Sequence, residues 1–166
     1  MNSLNSLNSL NSLNSLDSLN SLNSLDYKNM YLEHANITVS NLDEAIRFFT
    51  AAFPDFRVRG RGRAETPGNE RDWLHIGNET TYVALEESTL DRSGHLTYRN
   101  PGINHIGFVV EDIEALTSRL SEAGFKENMR DDSHPSRKRT YYYDADGNEY
   151  EFVEYTTQNS EERNQY

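Results

Sequence analysis

Apolar and polar residues alternate at the start of the patterned region. In Tyr31–Val39, Ala35, Ile37 and Val39 fall on one side of an extended chain and His34, Asn36 and Thr38 on the other, the period of a half-buried strand. The period then changes. Ala45, Ile46, Phe49, Ala52 and Phe53 recur at three- and four-residue steps, the stripe of an amphipathic helix. Ser40 or Asn41 suits its N-cap, Asp43 and Glu44 its first turn, and Pro54-Asp55 its end. Phe56–Arg59, Asp72–Ile76 and Thr81–Glu86 read as three further strands. Arg59–Arg63, Thr66–Asn69 and Gly77–Thr80 read as loops or turns between them. The order then repeats. Asn104–Val110 is a strand, and Asp112 to Ala123 a helix with Gly124 as its stop. Strands follow near Phe125–Met129, at Arg139–Tyr143 and at Glu149–Glu154, the last two joined by the turn Asp144-Ala-Asp-Gly-Asn148.

Laid over each other without a gap, the two halves match. His34 falls on His105, Leu42 on Ile113, Ala45 on Leu116, Phe49 on Leu120 and Ala52 on Ala123. A duplicated strand-helix-strand-strand-strand unit follows, one copy over residues 31–87 and one over 103–155, joined by an irregular linker at 88–102. This is an α+β domain over residues 30–155. Residues 2–25 are Asn-Ser-Leu triplets, with Asp17 replacing one Asn. Leucine every third residue suits neither a helix nor a strand, so residues 1–29 read as a disordered repeat tail. Met30 just before the first strand is where the folded part is expected to start. Residues 156–166 read as a polar, frayed C-terminal tail.

Composition narrows the chemistry. The chain has no cysteine, so any metal must be held by His, Asp or Glu. The formal net charge of -11 argues against nucleic acid or an anionic membrane as partner. No apolar run approaches the roughly 20 residues that span a bilayer, and no signal peptide is visible. A soluble, cytoplasmic protein is the expectation.

Strand parity supplies the candidate site. If Ala35, Ile37 and Val39 face a helix, His34 points the other way; His105 follows by the same logic from Ile106, Phe108 and Val110. Tyr150 and Phe152 as the helix-facing pair of the last strand send Glu151 to that same helix-free side. Two imidazoles and one carboxylate are the ligand set of a 2-His-1-carboxylate site for Fe, Mn, Zn or Ni. The plainer reading is that strand histidines are hydrogen-bonded wall residues, repeated only because the unit is. Placing Asp144–Asn148 at the turn pairs Tyr143 with Glu149 and Tyr141 with Glu151, so both tyrosines face the pocket. Tyr141 is the candidate proton donor, with wall packing as its alternative. His75 and Trp73 are candidate wall residues contacting substrate. Arg139, in the run Arg137–Arg139, is a candidate clamp for an anionic substrate group.

Asn104-His-Ile-Gly-Phe-Val-Val-Glu-Asp-Ile and Tyr143-Asp-Ala-Asp-Gly-Asn-Glu-Tyr-Glu-Phe resemble the vicinal oxygen chelate superfamily, with Ala145 where that family's turn has proline. The superfamily includes glyoxalase I, extradiol dioxygenases and the bleomycin and fosfomycin resistance proteins. The resemblance covers about residues 31–155. It implies curved mixed sheets around a cleft, with a divalent metal ion held by His34, His105 and Glu151. It implies a small oxygen-bearing substrate and dioxygenase-like or transferase-like chemistry. A metal-free, bleomycin-resistance-like binding module is the alternative. A glyoxalase I-like lyase fits less well, because aligning the two modules sets Val83, or with a shifted gap Thr81, opposite Glu151. Relation to extradiol dioxygenases puts Tyr141 in the place of their active-site tyrosine and makes His95 and His134 neighbours of interest. Relatives build the pocket within one chain or across a swapped dimer, so a homodimer stays open.

Overall fold

The computed structural model describes residues 31–88, 90, 97–99 and 101–165. The Asn-Ser-Leu triplets and His95 lie outside the described residues. His34–Tyr166 form one compact unit. Residues 31–33 carry neither helix nor strand. The elements are β1 (His34–Val39), α1 (Leu42–Ala52), β2 (Arg57–Thr66), β3 (Asn69–Gly77), β4 (Tyr82–Glu87), β5 (His105–Val109), α2 (Ile113–Glu122), β6 (Glu127–Asp131), β7 (Arg137–Tyr143), β8 (Glu149–Tyr155) and α3 (Ser160–Arg163). The duplicated order is therefore present. Each copy forms a four-stranded mixed sheet, in the orders β1-β4-β3-β2 and β5-β8-β7-β6. Within each sheet the first and last strands run parallel and the other pairs antiparallel.

Local chemistry explains the boundaries. Asn41 caps α1 by accepting from the Glu44 N–H at 2.9 Å, and Asp112 caps α2 by accepting from Ala115 N–H at 2.9 Å. Gly124, at φ +86, ends α2 in a conformation that side chains disfavour. The β7–β8 turn is organised by Asp144, whose Oδ1 accepts from the N–H groups of Asp146 and Asn148 at 3.0 and 2.8 Å. That turn sets the expected register, Tyr143 opposite Glu149 and Tyr141 opposite Glu151.

Two segments differ from the sequence expectation. Arg59–Arg63, expected as a loop, is the middle of β2, which pairs with β3 from Arg57–Gly77 to Thr66–Asn69. Gly62 stands opposite Trp73, and a Cβ there would come within 2.9 Å of the indole. The glycine thus makes room for the ring to lie across the strand. The C-terminal segment, expected to fray, contains α3 and is tied back. Arg137 donates to Arg163 O at 3.0 Å, and the His134 ring Nε2 lies 3.0 Å from Gln165 O.

The two modules share one core. Phe48 and Phe49 of α1, Leu74 and Ile76 of β3, Leu116 and Leu120 of α2, and Tyr150 and Phe152 of β8 pack in one cluster. Arg119 of α2 also donates to Ala51 O and Ala52 O at 3.0 and 2.8 Å, closing the C-terminus of α1. Val83 and Leu85 are buried on the helix side, leaving the alternate residues on the opposite face of the sheet.

Candidate functional site

On the helix-free face of the second sheet, β5 and β8 lie side by side with His105 opposite Glu149 and Gly107 opposite Glu151. His105 Nε2 comes within 3.2 Å of Glu151 Oε2. Glu151 Oε1 accepts from the Tyr141 hydroxyl at 2.6 Å, and the Tyr141 and His105 rings meet edge to face at 5.8 Å. Gly107 leaves the carboxylate room, since a Cβ there would lie 3.6 Å from Oε2. His105, Glu151 and Tyr141 are thus brought together. Burial, then the Glu151 carboxylate, pushes the Tyr141 phenol up to about 12, so it keeps its proton at neutral pH.

Arg139 lies two residues before Tyr141 on β7. Its Nη2 donates to Asp131 at 2.5 Å, while its Nε is buried without a hydrogen-bond partner. Asp131 is held down at about 2 by the Ser133 hydroxyl, the Ser133 N–H and the Arg139 guanidinium. Tyr143 is partly exposed on the same face, and burial followed by the charge of Glu149 raises its phenol.

Three residues of this site were not singled out from the sequence. Glu149 is 6 % exposed, and its Oε1 accepts from Asn128 Nδ2 at 3.0 Å. Its Oε2 accepts from the Tyr98 hydroxyl at 2.5 Å. That same hydroxyl is 2.9 Å from His105 Nδ1. Glu149 shares the parity of Glu151, a signal that was present. Tyr98 and Asn128 had none, because a linker residue and a short edge strand find their partners only through the fold. Tyr98 sits at φ +62, which for a residue with a Cβ carries about 1–2 kcal/mol of local strain. Its N–H is held by Asn104 Oδ1 at 2.7 Å.

The equivalent face of the first sheet is an aromatic wall. His34 stacks on Tyr82 at 4.7 Å, and its Nδ1 is 3.0 Å from the Tyr82 hydroxyl. His75 packs against Tyr82 at 4.8 Å and against Trp73 at 5.1 Å, and the Arg59 guanidinium lies 4.6 Å over the Tyr82 ring. His34, His75 and Trp73 are therefore grouped with each other. Sheet register places Ala84, not Val83 or Thr81, at the first-module equivalent of Glu151, since His34 pairs with Tyr82 and Asn36 with Ala84. Alanine supplies no ligand, so the first module has no counterpart of Glu151 at that register position.

Ligand atoms sharing one ion at bonds of about 2.0–2.2 Å lie roughly 3 Å apart when adjacent. The 3.2 Å separation of His105 Nε2 and Glu151 Oε2 fits such a pair. The third donor does not join them in one chain: among the described residues, no three His, Asp or Glu side chains are grouped closely enough to hold a metal ion. No described helix is long and apolar enough to cross a membrane.

A family model described as Glyoxalase/Bleomycin resistance protein/Dioxygenase superfamily matches residues 31–152. Among solved structures, a glyoxylase/bleomycin resistance protein/dioxygenase domain from Frankia sp. EAN1pec is 23% identical. The match has a TM-score of 0.65 and covers 78% of this chain and 95% of that one. A glyoxalase family protein from Bacillus cereus is 21% identical with TM-score 0.63, over 79% of this chain and 99% of that one. The fosfomycin resistance protein FosX of Listeria monocytogenes is 20% identical with TM-score 0.62, over 80% and 97%. At these identities the likeness concerns the fold. No curated protein matches the chain.

Proposed function

The chain belongs to the Glyoxalase/Bleomycin resistance protein/Dioxygenase superfamily, and from that premise we propose that it is a metal-dependent enzyme. Its substrate is a small oxygen-bearing molecule, and its chemistry is dioxygenase-like or transferase-like. The observation that carries this reading is the 3.2 Å approach of His105 Nε2 to Glu151 Oε2, on a face that also holds the protonated Tyr141. His34, His105 and Glu151 would hold the Fe, Mn, Zn or Ni ion. Such an ion acts as a Lewis acid toward a substrate oxygen. Because His34 does not meet the other two within one chain, we assign it to the site of a second copy, making the working unit a homodimer.

The chain's own groups have distinct tasks. Tyr141 donates to Glu151 at rest and to a substrate oxyanion during turnover. The unpartnered Nε of Arg139 offers a donor for an anionic substituent. Trp73 and His75, from the first-module face, and Tyr143 form the wall. FosX of Listeria monocytogenes has been solved with Mn(II) and sulfate, and in variant form with Mn(II) and 1S,2S-dihydroxypropylphosphonic acid. A ligand carrying hydroxyls and an acidic group suits the donors described here.

A second reading, a metal-free binding module, draws support from the absence of a three-ligand group in one chain among the described residues. A lyase needing a fourth ligand is disfavoured by Ala84. Metal quantification after anaerobic purification separates the two main readings. The enzyme reading expects about one divalent ion per chain, lost in His105→Ala. Metal retained by a variant lacking His34, His105 and Glu151 together would overturn it, and a metal-free protein that binds ligand tightly would establish the module.

A further inference from the structure

We propose that Tyr98, backed by Glu149, is a positioning residue that keeps a proton on His105 Nδ1 and so presents the Nε2 lone pair beside Glu151. This deepens the metal reading and rests on it for its consequence, but its geometry stands separately. A phenol has one proton to give. Glu149 receives donors at both oxygens, Asn128 Nδ2 at 3.0 Å and the Tyr98 hydroxyl at 2.5 Å, which is the environment of a carboxylate. The Tyr98 proton therefore goes to Glu149, and the phenol oxygen is left to accept. Its other neighbour, at 2.9 Å, is His105 Nδ1. That nitrogen then donates, and in the neutral ring Nε2 is the atom open to coordination.

Two further observations point the same way. Tyr98 adopts a left-handed backbone at φ +62, and its N–H is bonded by Asn104 Oδ1 at 2.7 Å. Tyr98 itself is thus held in a disfavoured conformation that delivers this hydroxyl. His34, in the other module, likewise has its Nδ1 beside a tyrosine hydroxyl, that of Tyr82 at 3.0 Å. Two unrelated tyrosines, one on a strand and one on a linker, meet the same nitrogen of the two duplicated histidines.

The test uses the full chain labelled with 15N, in wild-type and Tyr98→Phe forms. Phenylalanine keeps the exposed ring and removes only the hydroxyl. Histidine ring correlation spectra of the metal-free protein distinguish a protonated Nδ1 from an unprotonated one. Wild type is expected to show a protonated His105 Nδ1. In Tyr98→Phe the neutral ring is expected to move its proton to Nε2, facing Glu151. An unprotonated Nδ1 in wild type, or an unchanged Nδ1 in Tyr98→Phe, would overturn the proposal. Titration with Mn(II) or Zn(II) supplies the second readout: Tyr98→Phe, folded by circular dichroism, should bind about 10–100-fold more weakly. If wild type takes up neither ion, the metal reading fails while the spectra still decide the role of Tyr98. If wild type binds and Tyr98→Phe binds equally well, the positioning role fails while the metal reading stands.

Discussion

Replacing Phe48 by alanine tests whether the two halves of the site are held by one core. Phe48 belongs to α1 of the first module and is fully buried. Its ring lies 5.5 Å from Phe49, 5.0 Å from Phe125, 5.0 Å from Tyr150 and 6.5 Å from Phe152. Tyr150 and Phe152 flank Glu151 on β8, so the cavity would open directly beneath the second module's site. Buried Phe→Ala changes cost about 3–5 kcal/mol, and aromatic pairs add about 0.5–1.5 kcal/mol each beyond area, which places this change at the upper end. That is a large share of the 5–15 kcal/mol typical of a folded domain. For a unit of this size a drop of roughly 10–20 °C in melting temperature follows. The assay is thermal unfolding followed by far-ultraviolet circular dichroism and by fluorescence of Trp73, the single tryptophan of the chain, which lies on the first module. Both signals should fall together and by the same shift. A loss below about 1 kcal/mol, or a Trp73 transition separate from the dichroism, would refute the shared core.

Two further predictions concern the scaffold and its charges. A Cβ on Gly77 would land 2.2 Å from Thr81 O and 2.6 Å from Tyr82 Cα, whereas one on Gly60 meets nothing within 4 Å. Gly77→Ala should therefore lower stability in chemical denaturation by about 1–3 kcal/mol or more, and Gly60→Ala should stay within about 0.5 kcal/mol; equal effects would contradict the packing. Asp131 is held at about 2 in the folded chain, below its ordinary value, so its contribution is present above about pH 4. It is lost as the pH falls toward 2. The stability gap between wild type and Asp131→Asn should accordingly be present near neutrality and close on acidification; a gap that widens on acidification would reverse the sign of the argument.

Much of the fold was legible because each module has a pattern that switches cleanly between periods two and 3.6. The matched histidines gave the repeat, and the Asp144–Asn148 turn gave the β7–β8 register that brings Tyr141 to Glu151. What was hidden depended on contacts distant in sequence. The glycine-arginine stretch of β2 looks like a loop until Gly62 is seen making room for Trp73. The C-terminal segment looks solvated until Arg137 is seen donating to Arg163 O. Residue parity pointed to Glu149, but its role appears only with Tyr98 and Asn128 beside it. Parity also put His34 and His105 on helix-free faces, yet a face does not say whether two faces meet in one chain.

A mixed dimer of one His34→Ala chain and one His105→Ala chain, isolated and assayed for metal, decides whether two copies share each site. If each site joins the first module of one copy to the second module of the other, the mixed dimer has one damaged pair of modules and one intact pair. Each variant alone is expected to bind no ion, while the mixed dimer recovers about one per two chains. A mixed dimer that stays empty, beside a wild type that holds its metal, would contradict the shared site.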